Sequence, residues 1–355
     1  MRKEGKDVEF VRSFYDAKKD CPVGIVGSSG LKDKIMARAK LEKVPLPPFA
    51  KKLQKMMAGG IPLGYIINIA SASGQGKSTL VNEFIYYWIF NSPYKVGVVS
   101  LESDPGEYGE LLLSRHVGQK IALLETVADK VGFLNSSIAQ EGMDELFYTA
   151  EGEDRFHVVD HQGSVGEDEL KAKCEYLVRG LGCRLIIVDP LTLALSGGAN
   201  EDIDEFMSWQ KKFVDQHQCV FVNVTHVRKN SNNQQANSRG GAISEESIKG
   251  SGSIFQVAGA NILLMRDKEN EDPIVRNTTK IVQSKCRWTG ITGPAGNWYY
   301  ENQRHTLYDY DEYFSGVSAE ELLSDNESIG EQHQTLENAG AVMDDSIVVG
   351  GVNFQ

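Results

Sequence analysis

The chain has 355 residues, 41% of them hydrophobic and 24% charged, which is the balance of a water-soluble fold with room for one large α/β domain and appendages. A formal charge of −12 speaks against a protein that coats nucleic acid by bulk charge. Ten acidic residues and no Lys or Arg fall in 311–355, however, so the first 310 residues carry only −2 and leave room for a local basic surface.

Five cysteines (Cys21, Cys174, Cys183, Cys219, Cys286) are scattered without a C-x-x-C spacing. That pattern argues against a zinc site or disulfide framework and fits a reducing compartment. No signal peptide or membrane span is visible, since the apolar run Tyr86–Phe90 is far too short.

In chain order, residues 1–30 carry no regular pattern. Leu31–Val44 reads as a helix with Leu31, Ile35 and Ala39 on one stripe and Met36 beside it, stopped by Pro45, Pro47 and Pro48. Its apolar stripe has two readings, packing on its own domain or docking on a neighbouring subunit. A second helix, Phe49–Met57, gathers Phe49, Leu53, Met56 and Met57 and ends at Gly59-Gly60.

Tyr65–Ala70 then reads as a buried strand running into Ser71-Ala72-Ser73-Gly74-Gln75-Gly76-Lys77-Ser78-Thr79, followed by an apolar helix over Leu80–Phe90. Small residues let consecutive backbone N–H groups close around a phosphate. Lys77 adds a mobile positive charge, and the Ser78 hydroxyl suits a magnesium ion. The strict phosphate-loop motif has glycine where this chain has Ser71.

Strands follow at Lys95–Ser100, Phe156–Asp160, Arg184–Asp189 and Cys219–Thr225, with helices expected near Pro105 and over Asp168–Arg179. After the loop Ser196-Gly197-Gly198-Ala199-Asn200, a helical period links Ile203, Phe206, Met207, Phe213 and Val214. Lys120–Gly142 resists division. Further strands are expected at Ala260–Met265, Thr278–Ser284 and Trp298–Tyr300, and an acidic, flexible tail beyond about Tyr310. Alternating strands and helices indicate a mainly parallel sheet covered on both faces. Ligand loops of such sheets collect at the C-terminal strand edge, where Lys77, Glu102, Asp189 and His226 all fall.

These residue types suit phosphoryl chemistry. Lys77 reaches β- and γ-phosphates, and Asp189 binds magnesium directly or through its water; its plainer reading is a turn cap. Glu102 is either the base for an attacking water or a surface acid. His226 is either a half-buried polar residue or a γ-phosphate sensor, a role that Gln256 would share if it is not simply solvated. Arg287, in K-C-R-W-T-G, would in a ring of such domains complete a neighbour's site. Tyr300 either stacks on the nucleotide base or fills the core edge. Arg228, Lys229, Arg239 and Lys249 bracket the polar tract Arg228–Ser247, which has few aromatics, so backbone contacts along single-stranded nucleic acid outweigh base stacking.

Together S-A-S-G-Q-G-K-S-T, L-E-S at Leu101–Ser103, F-H-V-V-D, L-V-R-G-L-G-C-R-L-I-I-V-D, K-G-S-G-S-I-F-Q and K-C-R-W-T-G resemble the hexameric replicative helicases of the DnaB type. The likeness runs from about Gly60 to Tyr308 and is greatest to the helicase half of primase–helicases from short-tailed bacteriophages. It implies a RecA-like P-loop NTPase core over 59–310, preceded by an arm and subunit-docking helices over 1–58 and followed by the acidic tail 311–355. It further implies Glu102 as catalytic base, Ser78 and Asp189 at Mg2+, His226 and Gln256 as sensors, and Arg287 with Lys285 reaching a neighbour's nucleotide. Tyr300 would then meet the base, and Arg228, Lys229 and Arg239 single-stranded DNA. The fuel would be ATP or dTTP, and the assembly a homo-oligomeric ring moving 5′ to 3′ on single-stranded and forked DNA in a bacterial or phage-infected host cytoplasm. With no primase or zinc module ahead of Gly60, a separate primase is expected, and the tail is a candidate contact for a DNA polymerase or single-strand-binding protein. The rival readings are a RecA-like recombination ATPase forming filaments on DNA, and a nucleotide-binding scaffold or loader.

Overall fold

The computed structural model describes residues 26–160, 166–195, 200–227, 235–244, 252–302 and 306–315. The expected DNA contacts Arg228, Lys229 and Lys249 and the tail past 315 lie outside these. The chain divides into a short unit up to Glu42 and a compact unit from Lys43 onward. In the first, helix α1 (Ser28–Ala39) buries none of its residues and leaves Leu31, Ile35 and Met36 exposed.

The compact unit contains helix α2 (Lys51–Met56), strand β1 (Ile66–Ser71), α3 (Lys77–Asn91), β2 (Val96–Ser100), α4 (Pro105–Val117), α5 (Val127–Leu134), α6 (Ser137–Phe147), β3 (Phe156–Val158), α7 (Glu167–Glu175), β4 (Leu185–Asp189), α8 (Asn200–His217) and β5 (Val220–His226). It closes with β6 (Ala260–Arg266), β7 (Thr278–Cys286), β8 (Gly293–Glu301), β9 (Thr306–Asp309) and α9 (Tyr310–Ser315). One sheet holds all nine strands in the order β3-β2-β4-β5-β1-β6-β7-β8-β9. The first six in that order are parallel, and β6 through β9 form an antiparallel meander.

Period-two alternation sorts each central strand between two cores. Ile67 and Ile69 of β1, Leu185 and Ile187 of β4, and Val220, Val222 and Val224 of β5 face one cluster with Phe84, Ile85 and Trp88 of α3. Ile66 and Ala70, Ile186 and Val188, and Phe221 face the other, with Leu170 and Cys174 of α7 and Phe206, Met207 and Phe213 of α8. Both faces are therefore apolar, which is why these strands read as continuous apolar runs.

The compact unit starts sixteen residues before the expected boundary at 59, and Val44, Leu46, Phe49, Leu53 and Met57 are buried in its core. Val44 and Ile61 exchange backbone hydrogen bonds at 2.8 and 2.9 Å, and Trp88 Nε1 donates to the Pro45 carbonyl at 2.7 Å. Phe49 packs edge-on against Trp298 at 5.2 Å and stacks near Phe84 at 6.0 Å. Gly60, at φ +133°, makes this return possible, since a Cβ there would stand 2.3 Å from the Val44 carbonyl oxygen.

The other boundary also moves. Asp311 and Glu312 belong to α9, whose first turn is capped by Asp309 accepting from their N–H groups at 3.1 and 3.2 Å. Tyr313 and Phe314 pack on Tyr299 at 4.9 and 5.1 Å, and Glu312 pairs with Lys51. The indivisible stretch 120–142 resolves into α5 and the start of α6, each opened by a side-chain cap, Thr126 on the Asp129 N–H and Ser136 on the Ala139 N–H. Among the described residues no helix is long and apolar enough to cross a membrane.

Phe49 offers the sharpest test of the revised boundary. Phe49→Ala should lower unfolding free energy by about 3–5 kcal/mol in urea denaturation, whereas an unchanged midpoint would place 43–58 outside the core.

Candidate functional site

Parallel register brings the expected polar groups together. Ser71, the last residue of β1, pairs with His226 of β5, and Ser100 of β2 pairs with Asp189 of β4. All four strand ends therefore open on one edge of the sheet.

At that edge β1 passes directly into a turn and then α3. Gly74 and Gly76 take φ +72° and +88°, left-handed values that turn the chain from strand to helix within five residues. Ser73, Gly74 and Ser78 are exposed, Ala72, Gly76 and Thr79 partly so, and Gln75 and Lys77 are buried. The first turn of α3 thus presents free backbone N–H groups beside the loop, a setting suited to an anion.

Lys77 folds back across the turn, its Nζ donating to the carbonyls of Ala72 at 3.0 Å and Ser71 at 3.3 Å. Burial lowers its pKa to about 8, partly offset by the Asp189 and Glu102 carboxylates. Asp189 is pushed up to about 6 by burial and then by the Glu102 charge, while a hydrogen bond from the Ser78 side chain and the Lys77 ammonium act the other way. Glu102 is exposed just beyond β2, and its Oε1 lies 3.9 Å from His226 Nε2. Lys77, Ser78, Glu102, Asp189 and His226 therefore form one cluster. An oxygen-only pair such as Ser78 and Asp189 fits Mg2+, which takes few protein ligands and keeps water and phosphate oxygens.

Gln256, Lys285 and Arg287 form a different cluster. Lys285 Nζ donates to the carbonyls of Phe255 and Gln256 at 2.6 and 2.9 Å, and Arg287 Nη2 donates to the Gln256 carbonyl. The Arg287 backbone N–H bonds Gly259, whose own N–H bonds Ile66 at the start of β1. That is the opposite strand edge, roughly 17 Å along β1 from Ser71 at about 3.3 Å per residue. The structure thus separates Gln256 from the His226 end of the sheet and groups it with Arg287.

Arg266, at the end of β6, was not singled out from the sequence. Its Nη2 donates to Asn277 Oδ1 at 3.0 Å, and its Nη1 stands 3.7 Å from where a Cβ of Gly76 would lie. Tyr300 is packed on the α3 side of the sheet beside it, with its phenol pushed up to about 12 by burial and then by Glu83 and Glu301. Arg266 and Tyr300 line a narrow recess with Gly76 and Thr79. A signal was present: Arg266 ends an apolar strand, N-I-L-L-M-R, in the way that Asp189 and His226 end theirs. Arg239 is held by Glu269, Nε to Oε2 at 2.9 Å, and Gln75 Nε2 donates to the Asn237 carbonyl at 2.8 Å.

A family model described as the DnaB-like helicase C terminal domain matches residues 46–304. The chain belongs to that family. Over 307 residues this DnaB-like chain is 29% identical to the DNA helicase/primase of Enterobacteria phage T3, covering 85% of its own length and 52% of the relative's. It therefore spans about half the length of that curated relative. Among solved structures it resembles one described as an ATPase domain, with a TM-score of 0.62 at 17% identity over 81% of this chain and 99% of the other. It also resembles a DnaB-like replicative helicase studied in its interactions with primase, with a TM-score of 0.58 at 16% identity over 81% and 67% of the two chains. These likenesses establish the RecA-like α/β fold.

The electrostatics of the cluster can be tested on the free protein. The Asp189 carboxyl carbon should titrate by NMR with a midpoint near 6. Glu102→Gln should lower that midpoint by removing a like charge, and Lys77→Met should raise it by removing an opposite one. A midpoint in the ordinary carboxylate range that neither change moves would contradict the cluster.

Proposed function

We propose that this DnaB-like chain is a DNA helicase motor that hydrolyses a nucleoside triphosphate to move 5′ to 3′ along single-stranded DNA and part a duplex. The observation that carries this reading is the division of charged groups between the two strand edges. Lys77, Ser78, Glu102, Asp189 and His226 gather at one, while Lys285 and Arg287 stand at the other. The separation of the two sets along β1 supports a second set that acts on a nucleotide held by a neighbouring protomer.

In this reading the turn 72–76 and the α3 N-terminus hold the phosphates, with Lys77 against the β- and γ-oxygens. Mg2+ at Ser78 and Asp189 supplies charge neutralisation there. Glu102 orients the attacking water and takes its proton, and His226, 3.9 Å from Glu102, registers the change in charge and passes it to the polar segment that follows β5. Arg287 of the adjacent protomer stabilises the charge that develops on the departing phosphoryl group. Arg266 and Tyr300 flank the recess beside Thr79 and are the candidates for the base and sugar. The exposed apolar side chains Leu31, Ile35 and Met36 of α1 are the candidates for docking on a neighbouring subunit.

Forked DNA with either a 5′ or a 3′ single-stranded tail, given ATP or dTTP in turn, tests the whole reading. Unwinding of the 5′-tailed fork alone is expected, and strand exchange without unwinding would favour the recombination ATPase. Lys77→Ala should abolish turnover. Arg287→Ala should keep nucleotide binding and lose hydrolysis by about 10³-fold or more. In mixed assemblies an Arg287→Ala protomer should silence the site on its neighbour, and silencing of its own site alone would overturn the shared-site assignment.

A further inference from the structure

The turn between β6 and β7 lies against the phosphate-loop turn, and this chain's own side chains tie it there. Residues 237–239 form the tie. Gln75, inside the loop and 1% exposed, donates from Nε2 to the Asn237 carbonyl at 2.8 Å. The Lys268 backbone N–H donates to the Ser238 carbonyl at 3.0 Å, and Arg239 forms a backbone bridge with Asp267. Glu269 accepts from Arg239 Nε at 2.9 Å and from the Ser238 side chain. Within the turn itself, Asp267 accepts from the Glu269 N–H at 3.3 Å and from Asn270 Nδ2 at 3.1 Å.

This scaffold brings a second lysine to the loop. A Cβ built on Gly74 would stand 3.0 Å from Lys268 Nζ, and among the described residues, its chain neighbours aside, no other side chain comes within 4 Å. A side chain at Gly74 would compete for the space that the Lys268 amine occupies, and the positive φ there independently favours glycine. No hydrogen bond among the described residues engages that amine. Its alternation with Arg266, two residues earlier and also directed at the loop, gives the same strand end two cations facing one turn. On the opposite side, Glu102 and Asp189 supply negative charge suited to a metal ion but not to phosphate oxygens. The loop is thus lined by cations on the β6 side and carboxylates on the β4 side.

We propose that Lys268 is a phosphate-contacting residue for the nucleotide held by 72–78, delivered from the β6–β7 turn and kept in reach by the 237–239 tie. The inference rests on the nucleotide reading above and adds a contact to it. Because residues 237–239 bond both Gln75 and the lysine-bearing turn, the segment following β5 shares its anchorage with a group on the phosphates. Lys268 is itself exposed, so its replacement leaves the core untouched.

The test measures binding of a fluorescent mant-labelled nucleoside triphosphate with Mg2+ to the full chain and to Lys77→Ala, Lys268→Met and Lys268→Arg variants, with melting temperatures as a check on folding. Lys268→Met is expected to weaken binding about five- to tenfold at unchanged melting temperature, the scale of one hydrogen bond from an exposed amine whose charge solvent partly screens. Lys268→Arg should recover most of that loss, which a purely structural role for the turn would not produce. If Lys268→Met binds as tightly as the unaltered chain while Lys77→Ala does not bind, Lys268 has no part in holding phosphate and the nucleotide reading stands. If the unaltered chain itself fails to bind, the nucleotide reading falls, and this inference with it.

Discussion

The pairing of β1 with β5 and of β2 with β4 is the constraint on which the rest of the molecule depends. A parallel strand shifted by one residue exchanges its two faces, and here both faces are buried in separate apolar clusters. Ile67 and Ile69 in the cluster of Phe84 and Trp88, and Ile66 and Ala70 in that of Phe206 and Phe213, exclude a one-residue slip. The observed register sets Ser71 beside His226 and Ser100 beside Asp189. Apolar packing, which has no chemistry of its own, therefore fixes where the chemistry stands.

The cost of that arrangement is visible in the titrating groups. Lys77 and Asp189 both lose water at the strand edge, which moves each toward its neutral form, to about 8 and about 6. Each partly stabilises the other's charge, and the Ser78 hydroxyl assists the carboxylate. A site so poised gains from any ligand that brings opposite charge to both, as a phosphate with a divalent cation does. The neighbouring tie through Gln75 and Asn237 connects this poised edge to the segment after β5, so that a change at the phosphates has a short, polar route outward.

Much of this was legible in the sequence because it rests on local signals. The apolar runs ending in Ser71, Asp189 and His226 marked both the strands and their polar tips, and the small-residue turn marked the loop. What was not legible depends on contacts far apart in the chain. Phe49 reads as an arm residue until Trp298, almost 250 positions later, is seen to pack on it. Arg266 carries the same strand-end signature as Asp189, yet its direction toward Gly76 follows only from β6 lying beside β1. Strand β9, four residues with two polar ones, has too little pattern to announce itself and is specified by pairing with β8. Gln256 was grouped with His226 by role, but the short helix Ser253–Val257 precedes β6 and so lies at the strand edge remote from His226.

Arg287 and Lys77 stand at opposite strand edges of one chain, and we propose on that ground that each nucleotide is completed by two protomers. Hydrolysis per protomer, followed across a dilution series with Mg2+, nucleotide and single-stranded DNA alongside the assembled fraction from mass photometry, tests it most directly. Turnover should fall in step with dissociation and vanish in the isolated protomer. A monomer that hydrolyses at the full assembled rate would contradict the account.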